Sequence, residues 1–224
     1  MILIFDLDDT LYDERSYVDS GLHAVADHGA RAFGWDAKEA FRCMTEVLER
    51  EGRGRIFDAV LERHGLATRG RVAALVKVYR HHAPDLALFP AARRVLDRYR
   101  DEAPLYLVTD GHKVVQANKV TALDLWPRFR RVMITHRFGI RHAKPSIHCF
   151  ERIRALEGCA WSDMVYVADN PAKDFVNLNR QGMPTVRVLT GLHRDTPAQP
   201  GYEARHRIPD LDALPGVLDA LAAV

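Results

Sequence analysis

"ILIFDLDDTLYDE", Ile2 to Glu14, decides the architecture. Its first four residues are apolar without a polar alternate, the pattern of a strand covered on both faces in a parallel sheet. The run stops at Asp6, Asp8 and Asp9. Residues two apart on a strand share a face, so Asp6 and Asp8 project together at its carboxyl end, the edge of an open α/β sheet where ligands bind. Two carboxylates placed there repel unless a cation or a proton lies between them. The alternative is an acidic turn that caps the following helix, for instance through Asp13.

Four more runs of the same kind follow: "LYLV" before Thr109, "RVMI" before Thr135, "MVYVA" before Asp169 and "TVRV" before Leu189. Helical stretches separate them, "KVVQANKVTALDL", "SIHCFERIRALEG" and "AKDFVNLNRQG", and Pro90 suits the first turn of a helix "AARRVLDRYR" that leads into the second run. Alternating strands and helices predict an α/β, doubly wound, mostly parallel sheet over residues 1–11 and 89–224. The tail, "HRIPDLDALPGVLDALAAV", reads as a short turn and an apolar helix.

Residues 12–88 break that rhythm. They hold no convincing strand, and four helices are predicted over Glu14–Phe33, Asp36–Glu51, Arg55–His64 and Thr68–His82. Ala37, Ala40, Phe41, Met44, Val47 and Leu48 step by three and four, the spacing of one buried helix face. Gly34, Gly52, Gly54, Gly65 and Pro84 punctuate the segments. The expectation is an α-helical bundle inserted after the first strand.

Composition narrows the function classes. The net charge of +2 is the remainder of 32 basic and 30 acidic residues, so nothing global draws the chain to nucleic acid or anionic lipid. No apolar run approaches the roughly 20 residues of a membrane helix, and a cytoplasmic location without a membrane partner is expected. Cys43, Cys149 and Cys159 lack metal or redox spacing and read as packing residues. His136, His142 and His148 stand six apart, which is not a metal-site spacing, and Arg50, Arg53 and Arg55 read as a solvated loop.

The remaining candidates all sit just past a strand. Thr109 supplies a hydroxyl and, with Asp110 and Gly111, a tight turn whose N–H groups suit an anion. Lys144 stands before Pro145, where a helix start would put a positive charge at a helix N-terminus. Asp169 and Asp174 are spaced to reach one hard cation.

With those residues in order, the chain resembles the haloacid dehalogenase (HAD) superfamily on its phosphatase side. Asp6-x-Asp8-x-Thr10, Thr109, Lys144 and Asp169 with Asp174 stand for its four motifs, with a helical cap after the first. The resemblance implies Asp6 as nucleophile forming an aspartyl-phosphate, and Asp8 as the acid and base. It implies Thr109 and Lys144 on the phosphoryl oxygens, and Mg2+ held by Asp6, the backbone carbonyl of Asp8, and Asp169 with Asp174. Dehalogenases lack an acid at the position of Asp8, so its presence favours phosphate esters, and phosphomutases share it. Asp110 replaces a common Asn, and its carboxylate is expected to face away from phosphate or to be paired. Ala168 replaces a usual Gly. The implied activity is hydrolysis of a small phosphorylated substrate, a sugar phosphate or nucleoside monophosphate, by a monomer or homodimer under a cap that closes over the site. A phosphomutase or a phosphate-binding regulatory module are the alternatives.

Overall fold

The computed structural model describes residues 1–223. Six strands form one parallel sheet in the order β3-β2-β1-β4-β5-β6: β1 (Ile2–Phe5), β2 (Leu105–Thr109), β3 (Arg131–Ile134), β4 (Met164–Ala168), β5 (Thr185–Val188) and β6 (His206–Ile208). β1 is central, its Leu3 opposite both Leu105 and Val165. All four of its residues are buried, as a strand without a polar face requires. Their alternation divides the interior. Ile2 and Ile4 join Tyr106, Val108, Met164 and Tyr166 in a core with Phe150, Ile153, Phe175 and Leu178 from the α-helices α7 (His148–Glu157) and α8 (Val176–Arg180) and the residue before α8.

Reading the tail as turn and helix misses β6, which pairs in parallel with β5. It has only three residues, and Ile208 alone among them is buried, so no apolar run marks it. Two helices are also shorter than expected. α8 starts at Val176 rather than near Ala172, because Asn170 Oδ1 accepts from the Ala172 N–H and Asp174 Oδ2 from the Asn170 N–H, which fixes a turn there. α7 starts at His148, so Pro145 does not open it and Lys144 lies outside its first turn.

The chain divides into two compact units, residues 1–14 with 86–223 among those described, and Arg15–Asp85. The second holds α1 (Glu14–Phe33) from Arg15 on, α2 (Ala37–Glu51), α3 (Ile56–Arg63) and α4 (Arg69–His81) around its own core of Leu22, Val25, Trp35, Met44, Val60 and Leu75. Asp36 caps α2 and Thr68 caps α4, each accepting an N–H three residues on. Gly29 is needed where α1 meets Trp35, since a Cβ there would stand 1.6 Å from the indole. Arg50 and Arg55 make exposed pairs with Glu51 and Glu62. α5 (Pro90–Tyr99) and α6 (Lys113–Ala122) precede and follow β2, and α9 (Leu214–Ala222) closes the described chain. No described helix is long and apolar enough to cross a membrane.

Candidate active site

Four strand ends meet at one edge of the sheet. The Asp6 N–H still donates to the Val167 carbonyl at 2.9 Å, so the ladder carries the chain one residue past β1 and fixes where its carboxylate emerges. Asp169 leaves β4 beside it, and the turn after Asn170 returns Asp174. One oxygen from each of the three carboxylates lies within 4.8 Å of the others, and all three residues are buried. Lys144 Nζ is 2.9 Å from Asp6 Oδ1 and 2.7 Å from Asp174 Oδ1.

One ammonium does not balance three carboxylates, and the titration behaviour reflects this. Burial, against the pull of Lys144, pushes Asp6 up to about 6. Burial together with Asp174 and Asp6 pushes Asp169 up to about 9. Lys144 is disfavoured by burial, yet Asp174 and Asp6 hold its pKa well above the ordinary lysine value. A buried cluster of oxygen ligands with surplus negative charge has the chemistry of a hard divalent-cation site. Its members are not equally available. Asp174 Oδ1 also accepts from the Tyr166 hydroxyl at 3.3 Å, and its Oδ2 accepts from the Asn170 N–H at 3.0 Å. Among the described residues no hydrogen bond reaches the Asp169 carboxylate, which leaves it the freest of the three to meet a cation.

Tyr166 and Asp110 complete the Lys144 environment. The Tyr166 hydroxyl accepts from Lys144 Nζ at 2.9 Å. Asp110 accepts the Thr135 hydroxyl at 2.5 Å and the Lys144 N–H at 3.1 Å on both oxygens. This carboxylate is therefore paired, as expected, and it holds the backbone of Lys144. Gly111 has φ +139°, and a Cβ there would stand 3.0 Å from the Gln116 side chain.

Asp8 lies apart from the cation cluster in a cradle of donors. Its Oδ1 accepts from the Tyr12 hydroxyl at 2.6 Å and from Lys119 Nζ at 2.7 Å, and its Oδ2 from Gln116 Nε2 at 2.9 Å. Burial raises its pKa, but the Lys119 charge and these hydrogen bonds outweigh it and the net shift is downward. Gln116 Nε2 also donates to the buried Thr109 hydroxyl at 2.6 Å.

Asp9 points elsewhere. With φ 55° it accepts the Glu14 and Leu192 N–H groups, each at 3.0 Å, and so ties the β1 loop to the loop after β5. Gly191 makes that approach possible, for a Cβ there would fall 2.1 Å from Asp9 Cγ. His193, on the same loop, meets Asn170 Nδ2 at 2.8 Å and borders the cluster. The His142 and His148 rings lie against each other at a tilt of 31° with centroids 4.0 Å apart, outside the carboxylate group. Cys43 and Cys149 are buried free thiols.

Tyr12, Gln116, Lys119 and Tyr166 are the site residues that motif reading does not find. Tyr166 carries a faint signal, a phenol inside an otherwise apolar strand that needs a polar partner. Gln116 and Lys119 carry another: a polar pair three apart, hence on one helix face, that is buried.

Known proteins resemble this chain over most of its length. The sequence profile of haloacid dehalogenase-like hydrolases matches residues 1–175, and a HAD-hydrolase-like profile matches residues 142–214. The chain is 30% identical over 202 residues to a glyceraldehyde 3-phosphate phosphatase of Methanopyrus kandleri, covering 86% of this chain and 85% of that one. It is 30% identical over 177 residues to a phosphoserine phosphatase of Thermus thermophilus, covering 75% and 70%. The crystal structure of the HAD-hydrolase YfnB from Bacillus subtilis, described as bound to magnesium, superposes with a TM-score of 0.70 at 19% identity, covering 97% of this chain and 98% of that one.

Proposed function

The chain belongs to the haloacid dehalogenase-like hydrolases, and on that basis we propose that it is a magnesium-dependent phosphatase that hydrolyses a small phosphate monoester through an aspartyl-phosphate on Asp6. The observation that carries the proposal is the buried cluster of Asp6, Asp169 and Asp174, two of which, Asp6 and Asp174, pair with Lys144.

Asp6 would attack phosphorus with one carboxylate oxygen while the ester P–O bond breaks, and the leaving alcohol would take a proton from Asp8. Asp8 would then deprotonate the water that attacks the phosphoenzyme, freeing inorganic phosphate and the Asp6 carboxylate. The downward shift of Asp8 suits the second half directly. In the first half the arriving phosphate charge raises the pKa of this carboxyl and lets it carry the proton. Lys144 and the Thr109 hydroxyl would bind the transferring oxygens, where charge has to be stabilised. Asp6, Asp169 and Asp174, with the backbone carbonyl of Asp8, would hold the Mg2+, Asp169 being the freest. When bound, the ion neutralises phosphate charge beside the attacking carboxylate. Asp110 and Tyr166 would steady Lys144.

The named activities of the relatives make three-carbon phosphate monoesters the first compounds to try, ahead of larger sugar phosphates and nucleoside monophosphates. The test is phosphate release across such a panel by the wild type and Asp6→Asn, with magnesium and with a chelator. Release by wild type with magnesium alone supports the mechanism. Turnover that persists in Asp6→Asn, or in chelator, would sink it, and isomerised product without free phosphate would identify a mutase.

A further inference from the structure

One buried amide joins the two catalytic halves of the site. Gln116 sits in the first turn of α6, 1% exposed, and its Nε2 donates both to Asp8 Oδ2 at 2.9 Å and to Thr109 Oγ1 at 2.6 Å. The polarity of this chain of contacts follows from the group at its end. An ionised carboxylate only accepts, so the amide has to turn its NH2 towards Asp8. The second amide hydrogen is then directed to Thr109, whose oxygen accepts it. The Thr109 hydroxyl must use its own hydrogen on another partner, and among the described residues it meets no acceptor. The opposite amide orientation would set Oε1 against the carboxylate.

The neighbouring backbone accommodates this amide closely. Gly111 follows the Thr109 turn, and a Cβ at that position would come within 3.0 Å of Gln116 Cδ and Oε1. A side chain there would press on the group that bridges Asp8 and Thr109. Packing alone does not account for Gln116, since a methionine of similar length would fill the same volume without two directed hydrogen bonds.

We infer that Gln116 is a positioning residue: through Thr109 it commits the hydroxyl hydrogen to the phosphoryl oxygens, and through Asp8 it holds the proton carrier in register with them. This rests on the phosphatase reading above. The consequence is coupling, because removing the donor releases both partners at once, and its effect has to depend on the Thr109 hydroxyl being present.

The experiment compares wild type, Gln116→Met, Gln116→Glu, Thr109→Val and the Gln116→Met/Thr109→Val double variant. Each is measured for kcat and KM with p-nitrophenyl phosphate, for inhibition by inorganic phosphate, and for thermal unfolding. Gln116→Met is expected to lower kcat about tenfold or more and to weaken phosphate inhibition severalfold, while melting close to wild type. In the Thr109→Val background the same change is expected to cost less than about threefold, the non-additivity of residues that act as a unit. Gln116→Glu keeps the shape but faces Asp8 with an acceptor, and is expected to be slower still; if Gln116→Met does not fold, this variant carries the test. Wild-type kcat in either folded variant, or equal losses with and without the Thr109 hydroxyl, overturns the inference. If the wild type releases no phosphate, the phosphatase reading fails separately. The affinity of each variant for inorganic phosphate, measured by calorimetry, then decides the role of Gln116: weakening upholds it and equal affinity overturns it.

Discussion

Replacing Lys144 with methionine isolates the charge balance of the site. The substitution keeps most of the side-chain volume, so the cavity contribution is small, and it removes the ammonium that pairs with Asp6 and Asp174, 2.9 and 2.7 Å away. Side-chain exposures of 1% for Lys144, 4% for Asp6 and 0% for Asp174 mean that water does not replace it. Breaking a buried ion pair by removing one partner costs about 3–5 kcal/mol. Urea unfolding at pH 8 in a chelator is the assay, and a loss in that range is expected. The loss should shrink at pH 5, below the value of about 6 for Asp6, because protonation of Asp6 then relieves the repulsion, while Asp169, at about 9, holds its proton at both pH values. Magnesium at a hundred times its dissociation constant should return up to about 2.7 kcal/mol. A loss below about 1 kcal/mol at pH 8, or one that is the same at pH 5, would refute the reasoning that Lys144 offsets a surplus of buried negative charge.

Other consequences can be checked alongside. Asp169 has a folded-state pKa of about 9 against an unfolded value of 3.8, so between the two the folded protein holds a proton that the unfolded chain has lost. Stability of the metal-free protein should therefore fall as pH rises from 7 to 9, and magnesium should remove the slope; unfolding curves that are flat or rising without metal would contradict this. Asp110→Ala removes the acceptor of the Lys144 N–H and the Thr135 hydroxyl and should lower phosphate release about tenfold or more, while Asp110→Asn, which keeps one acceptor oxygen, should stay within about threefold. In the helical unit, Gly29→Ala forces a methyl into Trp35 and should destabilise by about 1–3 kcal/mol, read by circular dichroism and Trp fluorescence.

The parts of this molecule legible in the sequence are those whose residues announce their surroundings locally. β1, β2 and β4 are buried on both faces, and such strands are unbroken apolar runs. Their ends are equally plain, because a parallel sheet gathers the residues after each strand at one edge. That is why Asp6, Thr109 and Asp169 could be assigned to one edge from the sequence, whereas Lys144 comes ten residues after β3 ends at Ile134 and Asp174 is returned by the turn at Asn170. β6 was not legible: its three residues lie at the sheet margin and bury only Ile208. The support around Asp8 was hidden for a different reason. Gln116 and Lys119 reach it from α6, more than a hundred residues away in sequence, and no local spacing records that approach. Asp110 shows the same limit: pairing of its carboxylate was expected, but its partners, the Thr135 hydroxyl and the Lys144 backbone, come from 25 and 34 residues away and no local spacing names them.

The central claim, that Asp6 accepts the phosphoryl group, is tested most directly by quenching the enzyme during turnover of a phosphate monoester and locating the acyl phosphate by borohydride reduction and peptide mass spectrometry. The account predicts reduction at Asp6, in amounts that rise as the second step is slowed. Turnover with no trapped acyl phosphate, or with the label on another residue, would contradict it.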